Sequence, residues 1–132
     1  LCINGSGILY QWLRKILSTG KDELLSYDFL NAQAAQAGPG SAGLNFYPFG
    51  NGVERIFNNK KSFSGLQNLD FNRHGATHMV RAACEGIVYA MNYGFEVMQD
   101  IGAGRLVRPI DFTRVLVHGN ETGRCRLWQI DM

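Results

Sequence analysis

The chain lacks the marks of several protein classes. No apolar run approaches the roughly 20 residues that a bilayer-spanning helix needs, and no basic-then-apolar leader precedes Leu1. A soluble, cytoplasmic protein without membrane contact is expected. The net charge is only +2, and the positive residues are scattered (Arg14-Lys15, Lys60-Lys61, Arg105, Arg108) rather than gathered on one face. Electrostatic capture of nucleic acid is therefore not indicated. Cys2, Cys84 and Cys125 are odd in number and far apart, with no Cys-x-x-Cys pair, so neither a disulfide framework nor a zinc knuckle is suggested. Buried thiols are the simpler reading. No Gly-x-Ser-x-Gly nucleophile elbow occurs, which leaves a hydrolase without support.

What remains is ordinary for one globular domain: 132 residues, 45% hydrophobic and 18% charged. The chain opens at a leucine inside an apolar pattern and closes at Met132 in what reads as the start of a further element. A fragment of a longer protein is expected.

Along the chain, Ile8, Trp12 and Ile16, with Leu9, Leu13 and Leu17, fall at helical spacing over residues 7–18, which predicts a buried helix. A second helix fits 27–37, with Ser26 as N-cap and Gly38-Pro39-Gly40 as its stop; its alanines imply close packing. The stretch GLNFYPFGNGVERIFNN (43–59) runs from alternating apolar residues through Gly50-Asn51-Gly52 into the charged pair Glu54-Arg55. With Ser62–Gln67, whose Phe63 and Leu66 suit a short strand, it predicts a β ribbon or hairpin. The strongest periodicity is in residues 77–102. Val80, Cys84, Ile87, Met91, Phe95 and Met98 form an apolar stripe, while Arg81, Glu85, Asn92, Glu96 and Gln99 form a polar one. This predicts a long amphipathic helix closed by Gly102. Residues 114–123 read as a strand entering a glycine turn, and Arg124–Met132 as the start of another helix.

Several constellations suggest chemistry. Asp100-Ile101-Gly102-Ala103-Gly104 has the look of a phosphate loop, but such a loop follows a strand and this one follows a helix, so a helix C-cap is the better reading. His74 and His78 have the spacing of a metal pair on one helical face. No third ligand lies near in sequence, and a helix-entry role is favoured. Asn4-Gly5-Ser6 and Asn120-Glu121-Thr122 are formal glycosylation sequons and are assigned no role. Glu54-Arg55 reads either as a surface pair contributing about 0–1 kcal/mol or as a pair held by a rigid turn at a cleft. Spacing alone does not choose.

These segments together resemble the C-terminal half of the FGGY carbohydrate kinases, most closely the xylulose kinases among them. Tyr47-Pro48-Phe49-Gly50-Asn51-Gly52-Val53-Glu54-Arg55 is similar to the family's Leu-Pro-Tyr-Leu-x-Gly-Glu-Arg segment. The family's second signature is met by Ser64, Leu66, Leu69, His78, Met79, Ala82, Ala83 and Glu85, with departures at Asn68 and Cys84. Glu85-Gly86-Ile87-Val88-Tyr89-Ala90 also resembles a run common in these kinases. The resemblance covers residues 2–102. Past 110 it weakens: with Trp128 aligned, Asn120, Glu121, Thr122 and Gly123 stand where the family has a glycine-rich turn that approaches the nucleotide, and Cys125 stands at its serine. Side chains there obstruct close backbone approach.

The resemblance implies an α/β, ribonuclease H-like (actin-like ATPase) domain, present here in part over 1–132, in a kinase that phosphorylates D-xylulose with ATP and Mg2+. It places the catalytic aspartate and the phosphate loop outside this chain, so the chain alone is expected to be inactive. It points to Gly119, Asn120 and Gly123 as nucleotide contacts and to Glu54 and Arg55 as cleft or structural residues. No metal ligand is assigned, and a homodimer is allowed for. The rival expectations are another FGGY sugar or polyol, or a kinase-derived domain kept only for interaction.

Overall fold

The computed structural model describes residues 6–50, 63–102, 115–119 and 125–129. Helix α1 spans Ser6–Leu17 and α2 spans Tyr27–Gln36; strand β1 (Asn45–Tyr47) pairs antiparallel with β2 (Gly65–Gln67); α3 runs Ala76–Asp100; and β3 (Val115–Gly119) pairs antiparallel with β4 (Cys125–Gln129). The predicted elements 27–37, the ribbon and the long helix are thus all present. Asn45 faces Gln67, Phe46 faces Leu66 and Tyr47 faces Gly65 across the ribbon.

Local chemistry explains the boundaries. Ser26 sits in extended backbone and its side chain accepts the N–H of Phe29, which closes the start of α2. Gly38, at φ +70°, lets the chain turn out of the helix. Gly102, at φ +84°, does the same beyond α3, as expected of a helix C-cap, while Ala103 and Gly104 lie outside the described residues.

The helices pack on α3. One apolar cluster joins Leu9 and Leu13 of α1 with Leu44, Phe46, Ala82, Ala83 and Ile87; a second joins Tyr10, Leu30, Ala34, Val80 and Cys84. Cys84 is therefore buried, as expected, while Cys2 lies outside the described residues. Of the α2 alanines, Ala34 carries the close packing.

Four expectations are corrected. In α1 the buried residues are Leu9, Tyr10 and Leu13, whereas Ile8, Trp12 and Ile16 are exposed; two apolar stripes lie about 100° apart, and α3 covers only one. Glu85, read as part of the polar stripe, is buried because the turn after α2 folds over it. Phe63 precedes β2 and is exposed. The last segment is not helical: Cys125–Gln129 pairs residue for residue with Val115–Gly119, and the backbone hydrogen bonds of that ladder outweigh a weak helical pattern. No described sheet has more than two strands. Among the described residues no helix is long and apolar enough to cross a membrane.

Candidate functional site

A cleft of about 350 Å3 lies between the β1 segment and α3. Gly86 builds it. A Cβ there would stand 1.9 Å from the Phe46 carbonyl oxygen, so only glycine lets the strand backbone lie on the helix at this level. Beyond that contact Pro48 and Phe49 form one wall and Tyr89 and Tyr93, one helical turn apart, the other.

Above the cleft the chain after α2 takes a left-handed course. Ser41 and Ala42 both have positive φ, at +45° and +53°, a conformation costing about 1–2 kcal/mol per non-glycine residue. Hydrogen bonds to α3 and to Asn68, just past β2, hold it. Glu85 Oε1 accepts the Gly40 N–H at 2.8 Å and the Arg81 Nε–H at 2.6 Å. The Ser41 hydroxyl donates to the His78 carbonyl at 2.6 Å, and Asn68 donates to the Gly43 carbonyl. The Glu85 carboxylate also borders the cleft, and its charge acts on Tyr89. Burial first, and then Glu85, push the Tyr89 phenol above its ordinary value, with Arg81 opposing.

His74 and His78 serve helix entry. His74 Nδ1 accepts the Asp70 N–H at 2.9 Å, which assigns the proton to Nε2, where it faces the Ala42 carbonyl at 3.2 Å. His78 Nδ1 accepts the Gly75 N–H at 3.2 Å, closing the start of α3 as an N3 glutamate would. Each ring nitrogen used this way is spent on backbone. Among the described residues no three His, Cys, Asp or Glu side chains converge as a metal site.

Gly119 ends β3 and pairs with Cys125 at the start of β4. Asn120 and Gly123 fall between these strands and, like Glu54 and Arg55, lie outside the described residues. Of the expected nucleotide contacts only Gly119 is described, and its place is in the β3–β4 ladder. The cleft can seat an apolar ring edge between aromatic walls; it has no group placed to transfer phosphate. Sequence reasoning missed Glu85 as a buried acceptor and Tyr89 and Tyr93 as a wall. The spacing of the tyrosines was the available signal.

No protein-family model matches the chain. It is similar to the gluconokinases of Bacillus subtilis (strain 168) and Bacillus licheniformis, each 30% identical over 115 residues, covering 80% of this chain and 22% of the relative. Among solved structures it is similar to the crystal structure of xylulose kinase from Rhodospirillum rubrum, with a TM-score of 0.65 and 26% identity over 74% of this chain and 19% of that one. The chain spans about a fifth of the length of the kinases it matches. Both comparisons bear out the resemblance to FGGY carbohydrate kinases, and the structural one supports a kinase fold.

Proposed function

We propose that this chain is part of an ATP-dependent sugar kinase whose complete form phosphorylates D-xylulose to D-xylulose 5-phosphate in the cytoplasm. The observation that carries the reading is the likeness to the xylulose kinase structure, which covers 74% of the chain at a TM-score of 0.65 and 26% identity.

In this reading the chain supplies scaffold. Gly86 seats β1 on α3 and Glu85 holds the turn at Gly40 ahead of it, and the Glu54-Arg55 pair further along serves the inter-domain cleft. Gly119, Asn120 and Gly123 approach the adenosine side of the nucleotide. In-line phosphoryl transfer also requires a base, magnesium and a clamp on the phosphates; those groups belong to polypeptide outside these residues.

A coupled assay of ATP turnover tests this. The complete protein should turn over with D-xylulose, and the isolated 132-residue chain should not. Xylulose-dependent turnover by the isolated chain would sink the assignment of catalysis elsewhere. Gly119→Trp in the complete protein should raise the KM for ATP more than that for the sugar; an unchanged ATP dependence removes Gly119 from the nucleotide site.

Two gluconokinase relatives favour gluconate as a second acceptor reading, and the same assay with gluconate, glycerol and ribulose decides between them. Asn120, Glu121 and Thr122, which stand where the family has glycines, favour a third, a kinase-derived domain that no longer binds nucleotide. Calorimetric titration of the complete protein with ATP-magnesium separates it from the kinase readings.

A further inference from the structure

Phe71 lies in the turn between β2 and α3 and is 90% exposed, more than any other large apolar side chain described. Single exposed apolar residues are ordinary, but this one is displayed on a closed mount. The Asp70 carbonyl accepts the Arg73 and His74 N–H groups, Asp70 Oδ1 accepts the Asn72 N–H, and His74 Nδ1 accepts the Asp70 N–H at 2.9 Å. A side chain held out by such a turn gives up little backbone freedom on docking. Arg73, two residues on, is also exposed, and aromatic residues and arginine are types enriched in protein interfaces.

The same chain carries a seat for such a ring. The cleft between β1 and α3, about 350 Å3, is of the size that takes a small ligand. Tyr89 and Tyr93 on its α3 wall are 48% and 42% exposed, so the seat opens to solvent. Glu85 lines it as well. Both N–H groups that this carboxylate accepts go to Oε1, which leaves Oε2 with acceptor capacity for a donor entering the cleft. Glu85 stands one helical turn before Tyr89, and Arg73 stands two residues after Phe71. A ring seated against Tyr89 therefore brings the arginine of its own turn within reach of the carboxylate. The chain does not fill its own cleft in this way: Phe71 precedes α3, whereas Tyr89 lies more than three turns along it, about 20 Å at 1.5 Å per residue.

We infer that the cleft receives Phe71 of a second copy of this chain, with Arg73 of that copy paired to Glu85. One aromatic ring buries about 150–250 Å2, well short of the roughly 800 Å2 per partner of a standard complex, so the association is weak and reverses on dilution. Sedimentation velocity of the 132-residue chain tests it. The mass should rise with concentration over roughly 10–1,000 μM. Phe71→Ser, which removes the ring at an exposed position, and Ala90→Trp, which fills the cleft, should each raise the midpoint by about tenfold or more. An equal mixture of the two variants should be heavier than either alone, because one supplies the seat and the other the ring. A parent chain that stays monomeric at the highest concentration overturns the inference. So does association that Phe71→Ser leaves unchanged, which assigns the contact to another surface, and so does a mixture no heavier than its components. If circular dichroism shows Ala90→Trp unfolded, Phe71→Ser decides by itself.

Discussion

Gly86 of α3 lies directly against the Phe46 carbonyl of β1, at a distance that a single added methyl would close to 1.9 Å. That contact sets how near the ribbon comes to the long helix, and with it the width of the cleft between Phe49 and Tyr89.

Gly86→Ala should therefore destabilise the chain although alanine is the better helix former. The helical gain is about 1 kcal/mol, and overpacking against backbone costs typically 1–3 kcal/mol and sometimes more. Urea denaturation should show a net loss; a variant as stable as the parent would mean that the strand moves away without cost.

Glu85 has two duties, and two substitutions separate them. Glu85→Gln removes the charge opposite Arg81 and keeps an acceptor for the Gly40 N–H, whereas Glu85→Ala removes both. Leaving a buried group without its partner costs about 1–3 kcal/mol, so the alanine variant should lose at least 1 kcal/mol more than the glutamine variant. Equal losses would mean that the Gly40 bond contributes nothing.

At the entry to α3, His78 should be replaceable by a residue that keeps the acceptor. His78→Leu should lose about 0.5–2 kcal/mol, the usual range for a lost helix cap, while His78→Glu should restore it through the same bond to the Gly75 N–H. If both variants melt alike, the bond is not what holds the helix start.

Tyr89 predicts a response to alkali. Its phenol is raised above the ordinary value of about 10, so the folded state favours the neutral form. The contribution is fully present below pH 10 and is lost as pH rises through the folded-state value. Difference titration at 295 nm of the parent against Tyr89→Phe should show one tyrosine ionising later than free phenol. A tyrosine ionising at or below pH 10 in that difference contradicts the partial burial of the phenol and, after it, the placement of Glu85 beside it.

The placement of α2 and α3 was legible because their signals are local. Ser26, Gly38 and Gly102 act on backbone within a few residues of themselves, and the spacing of Val80, Cys84 and Ile87 is a property of the helix they lie on. The antiparallel ribbon was legible in the same way, from the alternating apolar residues of 43–49 and the short run at 62–67. The helix-entry role of His78 also needed only its neighbours.

Other features depend on residues distant in the chain, and only the tertiary structure decided them. Periodicity placed Ile8, Trp12 and Ile16, with Leu9, Leu13 and Leu17, on one buried face of α1 and could not say that α3 would take Leu9 and Leu13 and leave Ile8, Trp12 and Ile16 outside. Glu85 looked solvated until the Gly40 turn, 45 residues earlier, closed over it. Cys125–Gln129 became a strand because Val115–Gly119 offered a ladder of backbone partners. A side chain's burial is set by whatever chain segment arrives from elsewhere, and sequence order carries that information weakly; a helix cap is set by its own turn, and sequence carries it almost whole.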